Sequence, residues 1–219
     1  MIAARNALLM SGAGPTPPPL PYDAEVEYLQ TPNMTYAEQY TAHIDTGIVP
    51  TLDTEVTIDC TLINTSAGDQ ICATRTGAVN INRYFVLSVS ATRNRSVLGN
   101  TTISNVATVG TRHSILFNEA GTHDLYVDGA RIGNLGTAYQ VASNLSLYLF
   151  ATNGYAPSYG ASNSRIYKCE IRQGGALVRG FQPVRVGTGA NAVGYLYDRV
   201  SGALFGNAGS GALVVGPDK

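Results

Sequence analysis

Two carboxylates, Glu55 and Asp59, are the residues of this sequence that most resemble a catalytic acid and base. They share the polar face of the alternating segment 55–62, with Thr57 between them. Glycoside hydrolysis uses two carboxyl groups about 5 to 9.5 Å apart, whereas four residues of a strand span about 13 Å. We therefore interpret the pair as part of a solvated strand face and predict that the protein is not an enzyme.

The three cysteines, Cys60, Cys72 and Cys169, are too far apart in sequence for a dense disulfide scaffold. No CxxC pair or Cys/His cluster has the spacing of a metal site. Cys60 and Cys169 fall on apolar positions of alternating segments, where a buried free thiol acts as a small hydrophobic group. We expect free buried thiols, with a Cys60–Cys169 disulfide or a reactive Cys72 as the alternatives.

Three aspartates, Asp45, Asp124 and Asp128, could supply oxygen ligands to Ca²⁺, which takes about six to eight of them. Their spacing matches no calcium-binding loop, and Asp128 is explained by a turn. The three histidines lie on separate segments. The sequence thus predicts no cofactor and no metal centre, with a bound Ca²⁺ as the alternative.

The segment 151–163 has the composition of a recognition loop, because it is rich in Tyr, Ser, Gly and Asn. Tyrosine gives a flat amphipathic contact surface, and Asn and Ser offer both donors and acceptors. Sugars are bound by this mixture of a ring and polar groups. Asn153, Tyr155 and Tyr159 are therefore candidate contacts for a glycan or protein partner, and an ordinary surface loop is the alternative.

A second polar cluster surrounds another predicted loop and contains Arg75, Asn80, Asn82 and Arg83. The guanidinium group forms paired hydrogen bonds with carboxylates, including those of acidic sugars. Arg75 and Asn82 are therefore further candidates for glycan binding. The alternative is that these side chains are exposed charges that keep the protein in solution.

Alternating strands must position these residues. Asp128-Gly129 lies between segments 123–127 and 130–132 and predicts a type I′ hairpin, because Asp and Gly tolerate φ > 0 at both turn positions. Segment 144–150 is apolar on both faces and is expected in the middle of a sheet. Other predicted strands cover residues 26–28, 55–62, 84–89, 113–117, 164–171 and 194–198. Turn signals between them, without a helical stretch, are typical of a sandwich or barrel.

The composition of the chain excludes some classes of function and supports a single folded domain. Charged residues make up 13% of the chain, compared with about 25% in an average soluble domain. The net charge of −1 gives no electrostatic support for nucleic-acid binding. No apolar run approaches the ~18 residues that membrane insertion requires. A hydrophobic content of 44% supports a core, and we predict one all-β domain over residues 25–219.

Residues 1–24 form a separate leader in this interpretation. Residues 2–10 contain good helix formers and have an apolar bias, and residues 15–21 form a Pro-rich spacer that favours polyproline II. A short apolar helix is marginal alone in water, so it gains stability by docking on another surface. The anchoring side chains would be Ile2, Leu8, Leu9 and Met10. The segment is too short and too weakly basic for a signal peptide, and a frayed leader is the alternative.

Six segments carry motifs that point to a known kind of domain: Val26-Glu-Tyr-Leu-Gln30, His43-Ile-Asp-Thr-Gly-Ile-Val-Pro50, Phe85-Val-Leu-Ser-Val89, Leu125-Tyr-Val-Asp-Gly129, Gly194-Tyr-Leu-Tyr-Asp-Arg-Val-Ser-Gly-Ala-Leu-Phe-Gly-Asn207 and Val215-Gly-Pro-Asp218. They resemble laminin-G-like or concanavalin A-like jelly-roll domains of phages, prophages and gut bacteria. The resemblance covers residues 25–219. It implies a two-sheet antiparallel jelly-roll sandwich that binds glycans on its concave face or edge loops, often beside Ca²⁺. The Glu-x-Asp-x-x-Glu strand of laminarinase-type glycanases is absent.

The resemblance and the leader together suggest a structural or decoration protein of a phage particle. Such a protein would be a head fibre or tail component at the particle surface, with its sandwich facing host glycans. Its partners would be other virion proteins and sister chains, with a trimer suggested by analogy. The alternatives are a carbohydrate-binding module of a bacterial cell surface, a glycanase, and a purely structural domain.

Overall fold

Two β-sheets make up the structure. The computed structural model describes residues 19–32, 42–64, 70–76, 83–90, 93–119, 122–136, 144–154 and 163–219. Within these ranges the chain is all-β, apart from one short 3-10 turn at Gly189–Asn191. None of their helical residues forms a span suited to crossing a membrane. The predicted leader helix, with Ile2, Leu8, Leu9 and Met10, lies outside the described residues.

The strands are short, and the two longest lie next to each other. In chain order they are β1 (Ala24–Glu25), β2 (Leu29–Gln30), β3 (Ile44–Asp45), β4 (Thr54–Leu62), β5 (Gln70–Arg75), β6 (Arg83–Ser90), β7 (Arg93–Leu98), β8 (Thr101–Ser104), β9 (Arg112–Phe117), β10 (Asp124–Val127), β11 (Ala130–Asn134), β12 (Tyr148–Leu149), β13 (Thr152–Gly154), β14 (Ser164–Gln173), β15 (Ala176–Val186), β16 (Val193–Asp198), β17 (Leu204–Phe205) and β18 (Val214–Val215).

The strand order in both sheets departs from the chain order. The large sheet runs β11-β10-β9-β4-β14-β15-β16-β17, with β1 added to β15, β2 to β14 and β18 to β2. The small sheet runs β3-β12-β5-β6-β7-β8. All of these pairings are antiparallel, and β13 joins the small sheet by a parallel pairing with β5. Strands far apart in sequence therefore become neighbours, as β4 does with β9 and β14.

A single apolar layer lies between the sheets. Val56, Ile58 and Cys60 of β4 face inward and are buried, whereas Thr57 between them faces outward. The inward faces of both sheets contribute to one core cluster. Tyr84 of the small sheet crosses this layer, and its hydroxyl donates to the Thr54 carbonyl at 2.7 Å. This period-two pattern leaves the outer face of the large sheet for polar side chains.

The predicted hairpin is confirmed. β10 and β11 pair with Val127 opposite Ala130, and the turn residues Asp128 and Gly129 have φ values of 51° and 80°. The strands predicted from segments 55–62, 84–89, 113–117, 164–171 and 194–198 are also present, as β4, β6, β9, β14 and β16.

The strand predicted over residues 144–150 is too long. Only Tyr148 and Leu149 pair in a ladder, although β12 does lie inside the small sheet. Phe150 has a φ of 67°, which ends the strand. The N-terminal prediction is also too simple, because β1 and β2 flank Val26, which forms a single bridge.

The longest strand, β15, was not predicted, because Gly180 and Pro183 break its alternation. Pro183 lies between the part of β15 that pairs with β14 and the part that pairs with β1. The Pro183 carbonyl accepts the N–H of Val26, so the Pro183 nitrogen points to the same side of β15. The ladder with β14 on that side ends before Pro183, so the missing N–H removes no hydrogen bond between β14 and β15. Proline is therefore tolerated inside this strand.

All three cysteines are free and buried, as predicted. Cys60 and Cys169 lie on the adjacent strands β4 and β14, and Cys72 lies on β5 of the small sheet. Burial raises the pKa of the Cys60 thiol to about 12. Burial likewise raises the pKa of Cys72 and of Cys169 well above the ordinary value. All three thiols thus stay neutral in the folded protein at ordinary pH.

Alkaline conditions are expected to destabilise the protein through these thiols. An unfolded thiol ionises near pH ~8.5, whereas the folded thiols keep their protons to higher pH. Their contribution to stability is therefore constant below this pH and is lost as the pH rises above it. Three thiols should lower the free energy of unfolding by roughly 2 to 3 kcal/mol between about pH 7 and pH 9. Urea denaturation across this range measures the fall.

Single Cys→Ala variants provide the control. The quantity compared between variants is the slope of the free energy of unfolding against pH, not its absolute value. Each should remove roughly one third of the fall. Identical slopes in all variants and the parent chain would show that other groups cause it.

Candidate functional site

A row of stacked cations and tyrosines crosses the outer face of the large sheet. The Arg112 guanidinium lies 4.1 Å from the centroid of the Tyr167 ring. Tyr167 meets Tyr28 edge to face, with centroids 5.6 Å apart. The Arg165 guanidinium lies 4.4 Å from the Tyr28 centroid. We call these four residues the arginine–tyrosine row.

Strand register brings the row together. Thr61 of β4 pairs with Arg112 of β9 on one side and with Arg165 of β14 on the other. A register shift between Ile166 and Lys168 releases Tyr167 from the regular alternation. The Tyr167 hydroxyl then lies 3.3 Å from Thr61 Oγ1. A β-bulge of this kind commonly redirects a side chain at a functional surface.

The two arginines of the row are held differently. Arg112 Nη2 donates to Asp59 Oδ2 at 3.0 Å, and the Arg112 side chain is 55% exposed. Arg165 Nε donates to Gln30 Oε1 at 2.7 Å. Within the described part of the chain, Arg165 forms no ion pair with a carboxylate. Both guanidinium groups therefore keep N–H donors for a ligand.

A groove of about 270 Å³ opens beside the row and is lined by Glu27, Arg112, Tyr167 and Lys219. We call it the Tyr167 groove. It combines an aromatic ring, two cations and one carboxylate. Its volume lies just under the range of about 300 to 1,000 Å³ for small-molecule sites. The groove can thus accept a group the size of one sugar ring, with donors and acceptors at its side.

A second groove, of about 360 Å³, lies on the same face of the large sheet. Its lining consists of Thr57, Ser114, Leu116, Glu119, Tyr126 and Gly129. A hydrogen bond to the Glu119 carboxylate raises the pKa of the Tyr126 hydroxyl. We call this the Tyr126 groove. It offers a ring, an apolar patch, hydroxyl groups and a carboxylate acceptor.

The carboxylates Glu55 and Asp59 lie on this face, but they are not simply solvated. Asp59 pairs with Arg112, and Glu55 Oε1 lies 3.7 Å from Arg172 Nε. Their side chains are only 15% (Glu55) and 24% (Asp59) exposed. The interpretation as a solvated face is corrected, because arginines of neighbouring strands cover both carboxylates.

His113 and Asp128 form a pair that superficially resembles a catalytic dyad. His113 Nδ1 lies 2.7 Å from Asp128 Oδ2, and His113 Nε2 accepts from the Thr108 N–H at 3.0 Å. Because Nε2 is the acceptor, Nδ1 carries the proton and donates to Asp128. The Ser114 N–H, and then His113, hold the pKa of Asp128 below its ordinary value. Both ring nitrogens are occupied, so this histidine has no lone pair for proton abstraction.

The structure places two of the predicted binding residues, Asn153 and Arg75, on the neighbouring strands β13 and β5. Asn153 Nδ2 donates to the Ser146 carbonyl at 2.9 Å and to its hydroxyl at 3.2 Å. Arg75 is only 6% exposed and pairs in register with Arg83. Both side chains are thus engaged in the fold. Tyr155, Tyr159 and Asn82 lie outside the described residues and stay predictions.

The three aspartates considered for Ca²⁺ lie apart, on β3, on β10 and in the hairpin turn. Asp45 accepts from Ser146, and Asp124 accepts from Arg131 and Asn134. Hydrogen bonds from Arg131 and then Asn134 lower the pKa of Asp124. In the part of the chain that the structure describes, no group of three or more His, Cys, Asp or Glu side chains could hold a metal ion.

Sequence reasoning missed both grooves. The polar positions Arg165 and Tyr167 of the strand over 164–171 carried a signal, since they interleave a cation and a ring with buried residues. Their partners Tyr28 and Arg112 come from distant segments, so the sequence could not show the row.

The fold and these grooves define a class: an all-β protein of two antiparallel sheets with open, polar, tyrosine-lined grooves on one sheet face. No protein-family model and no curated protein matches the chain.

Proposed function

We propose that this protein is a non-enzymatic structural or decoration protein of a phage particle, whose β-sandwich binds host-surface glycans. The observation that carries the glycan part is the Tyr167 groove. The particle location draws on the resemblance of residues 25–219 to phage jelly-roll domains and on the composition of residues 1–24.

The chemistry of the Tyr167 groove supports carbohydrate binding. The ring offers a flat apolar surface, and Glu27, Arg112 and Lys219 place an acceptor and donors around it. Sugars need both kinds of contact, because each ring has apolar C–H groups and polar hydroxyls. Arg112 and Tyr167 lie on strands β9 and β14, which hold their side chains more firmly than a loop does.

Binding without turnover is favoured by the state of the carboxylates. Among the described residues that line the Tyr167 groove, Glu27 is the single side-chain carboxylate, and the nearby Asp59 carboxylate is paired with Arg112. Glycoside hydrolysis needs two carboxyl groups facing one bond. We therefore propose adhesion rather than catalysis.

An open groove of this size gives weak single-site binding, which suits a particle that displays many copies. Linked copies turn later contacts into intramolecular ones and raise avidity without new contacts. We propose that sister chains assemble as a homo-oligomer, with a trimer by analogy, and that residues 1–24 bind other virion proteins. Leu20, near the start of the described residues, is 58% exposed.

The finer fold assignment, a concanavalin A-like jelly roll, is part of this proposal. Its support is the two-sheet antiparallel architecture, with strand neighbours that are distant in sequence. The C-terminal motif that carries the resemblance also forms the adjacent strands β16 and β17 of the large sheet.

Replacing Tyr167 by alanine is expected to weaken glycan binding about tenfold or more, because an aromatic contact contributes roughly 1 kcal/mol beyond its buried area. A glycan array with the full-length chain identifies ligands, and calorimetry on the strongest of them measures the change. Tyr22→Ala is the matched control, since the Tyr22 ring packs at a tilt against Tyr197, with centroids 5.1 Å apart, and is not among the lining residues of either groove.

Circular dichroism confirms that both variants remain folded. Equal losses in the two variants would remove the Tyr167 groove from the proposal. If the parent chain binds neither glycans nor host cells, adhesion is excluded and the purely structural alternative stands. Antibody labelling of purified particles tests the location separately, and an unlabelled particle surface contradicts it.

A further inference from the structure

The two grooves share one strand. Outward side chains of β9 recur every second residue, so Arg112, Ser114 and Leu116 follow one another along the outer face. Arg112 lines the Tyr167 groove, whereas Ser114 and Leu116 line the Tyr126 groove. The four-residue separation of Arg112 and Leu116 corresponds to about 13 Å. The grooves are therefore consecutive positions on one surface.

The surface between the grooves is also polar. Asp59 pairs in register with Ser114, and its carboxylate accepts from Arg112. Because 24% of its side chain remains exposed, the carboxylate can accept further hydrogen bonds from a ligand. A chain of sugar hydroxyls can thus find acceptors along the whole path.

The two grooves differ in charge. Two cations, Arg112 and Lys219, outnumber one carboxylate, Glu27, in the lining of the Tyr167 groove, and Arg165 lies at the far end of the arginine–tyrosine row. Among the described residues that line the Tyr126 groove, the charged one is the carboxylate Glu119, and Arg131 lies opposite Tyr126 on β11. The surface therefore favours a negative group at one end and neutral hydroxyls at the other.

We propose that the two grooves are consecutive subsites for one linear oligosaccharide. A carboxylate-bearing sugar binds beside Arg112 and Tyr167, and a neutral sugar binds on Tyr126. Arg112 and Leu116, about 13 Å apart along β9, are too far apart for one sugar ring to contact both and are within reach of a short oligosaccharide. This inference rests on the proposed glycan adhesion and specifies its ligand class.

Calorimetry with the full-length chain tests this inference. The probes are linear oligosaccharides, from monosaccharides to hexasaccharides, that end in sialic or glucuronic acid, each beside its carboxyl-reduced neutral form. We expect affinity to rise about tenfold once the chain reaches both rings, and to fall when the carboxylate is reduced.

Tyr126 variants separate this inference from the proposed function. Tyr126→Ala should abolish the gain of affinity with chain length. Tyr126→Phe keeps the ring and should retain most of the gain, and Tyr22→Ala should retain all of it.

The other possible outcomes separate the two-subsite inference from the proposed glycan adhesion. Binding that does not increase with length would overturn the two-subsite inference and leave glycan adhesion standing. Equal affinity for acidic and neutral forms would overturn the assigned polarity. If no probe and no glycan on the array binds, both the proposed function and this inference fail.

Discussion

Replacing Gly154 by alanine is expected to lower the free energy of unfolding by about 4 kcal/mol, through overpacking and backbone strain together. An added Cβ at this position would lie 1.9 Å from the Arg75 carbonyl oxygen. The glycine also has a φ of 154°, a conformation that residues with side chains rarely adopt. Since the obstacle is backbone rather than a movable side chain, β13 and β5 must separate.

The clash follows from the parallel pairing of these strands, in which Gly154 lies opposite Arg75. Thr74 Oγ1 also donates to the Asn153 carbonyl at 3.1 Å, so the two strands are joined just before the clash. Gly154 therefore fixes the beginning of the predicted recognition loop against the small sheet. Urea denaturation measures the overall loss, and hydrogen exchange of the β5 amides shows where the structure opens.

Gly129→Ala is the matched control for this experiment. Gly129 also has a positive φ, 80°, but an added Cβ there would meet nothing within 4 Å. This variant should lower the free energy of unfolding only through backbone strain, by about 1 kcal/mol. Equal losses at the two positions would mean that steric contact with Arg75 contributes nothing.

Replacing Asp198 by alanine is expected to cost about 4 kcal/mol, because it removes a buried carboxylate that several donors share. The carboxylate accepts the N–H of Gly180 at 2.8 Å, the N–H of Val200 at 3.2 Å and the hydroxyl of Ser201 at 2.6 Å. Asp198 is completely buried. Its loss would leave the buried N–H of Gly180 on β15, and the donors of the turn after β16, without this acceptor.

The stabilisation that Asp198 provides is expected to decrease in acid. Burial by itself would raise the pKa of Asp198, but the N–H of Gly180 and the hydroxyl of Ser201 outweigh it and hold the pKa below its ordinary value. The stabilisation is therefore present above the unfolded-state pKa of about 3.9 and is lost as the pH falls through the lower folded-state value.

Two variants test this assignment by urea denaturation from neutral to acidic pH. Asp198→Asn keeps one acceptor oxygen and should be less destabilised than Asp198→Ala, with a smaller loss of stability in acid. Asp218→Asn removes an exposed partner of Arg185 and should change stability little. If Asp198→Ala unfolds no more readily than Asp218→Asn, the carboxylate does not organise this turn.

Local chemistry allowed much of the fold to be predicted. The alternation in β4 and the Asp128-Gly129 turn depend on neighbouring residues, and both predictions are confirmed. The burial of Cys60 and Cys169 followed from the same period of two. Strands that depend on long-range pairing could not be predicted in this way. β15 contains Pro183 and Gly180, and it is stabilised by pairing with β14 and β16, which its own residues do not reveal.

The candidate site shows the same division. Asn153 and Arg75 were chosen for their residue types, yet the fold uses the amide of Asn153 internally and buries Arg75. The side chains of the Tyr167 groove had no common sequence motif, because they come from distant parts of the chain.

The sequence alone determined an all-β protein with a particular tight turn, buried neutral thiols and a weakly charged surface, because side-chain period and turn conformation act over a few residues. Only the tertiary structure decided which strands became neighbours and therefore which polar side chains share a face. Register and the bulge at Tyr167 are consequences of packing the whole chain, and they place Arg112 over that ring.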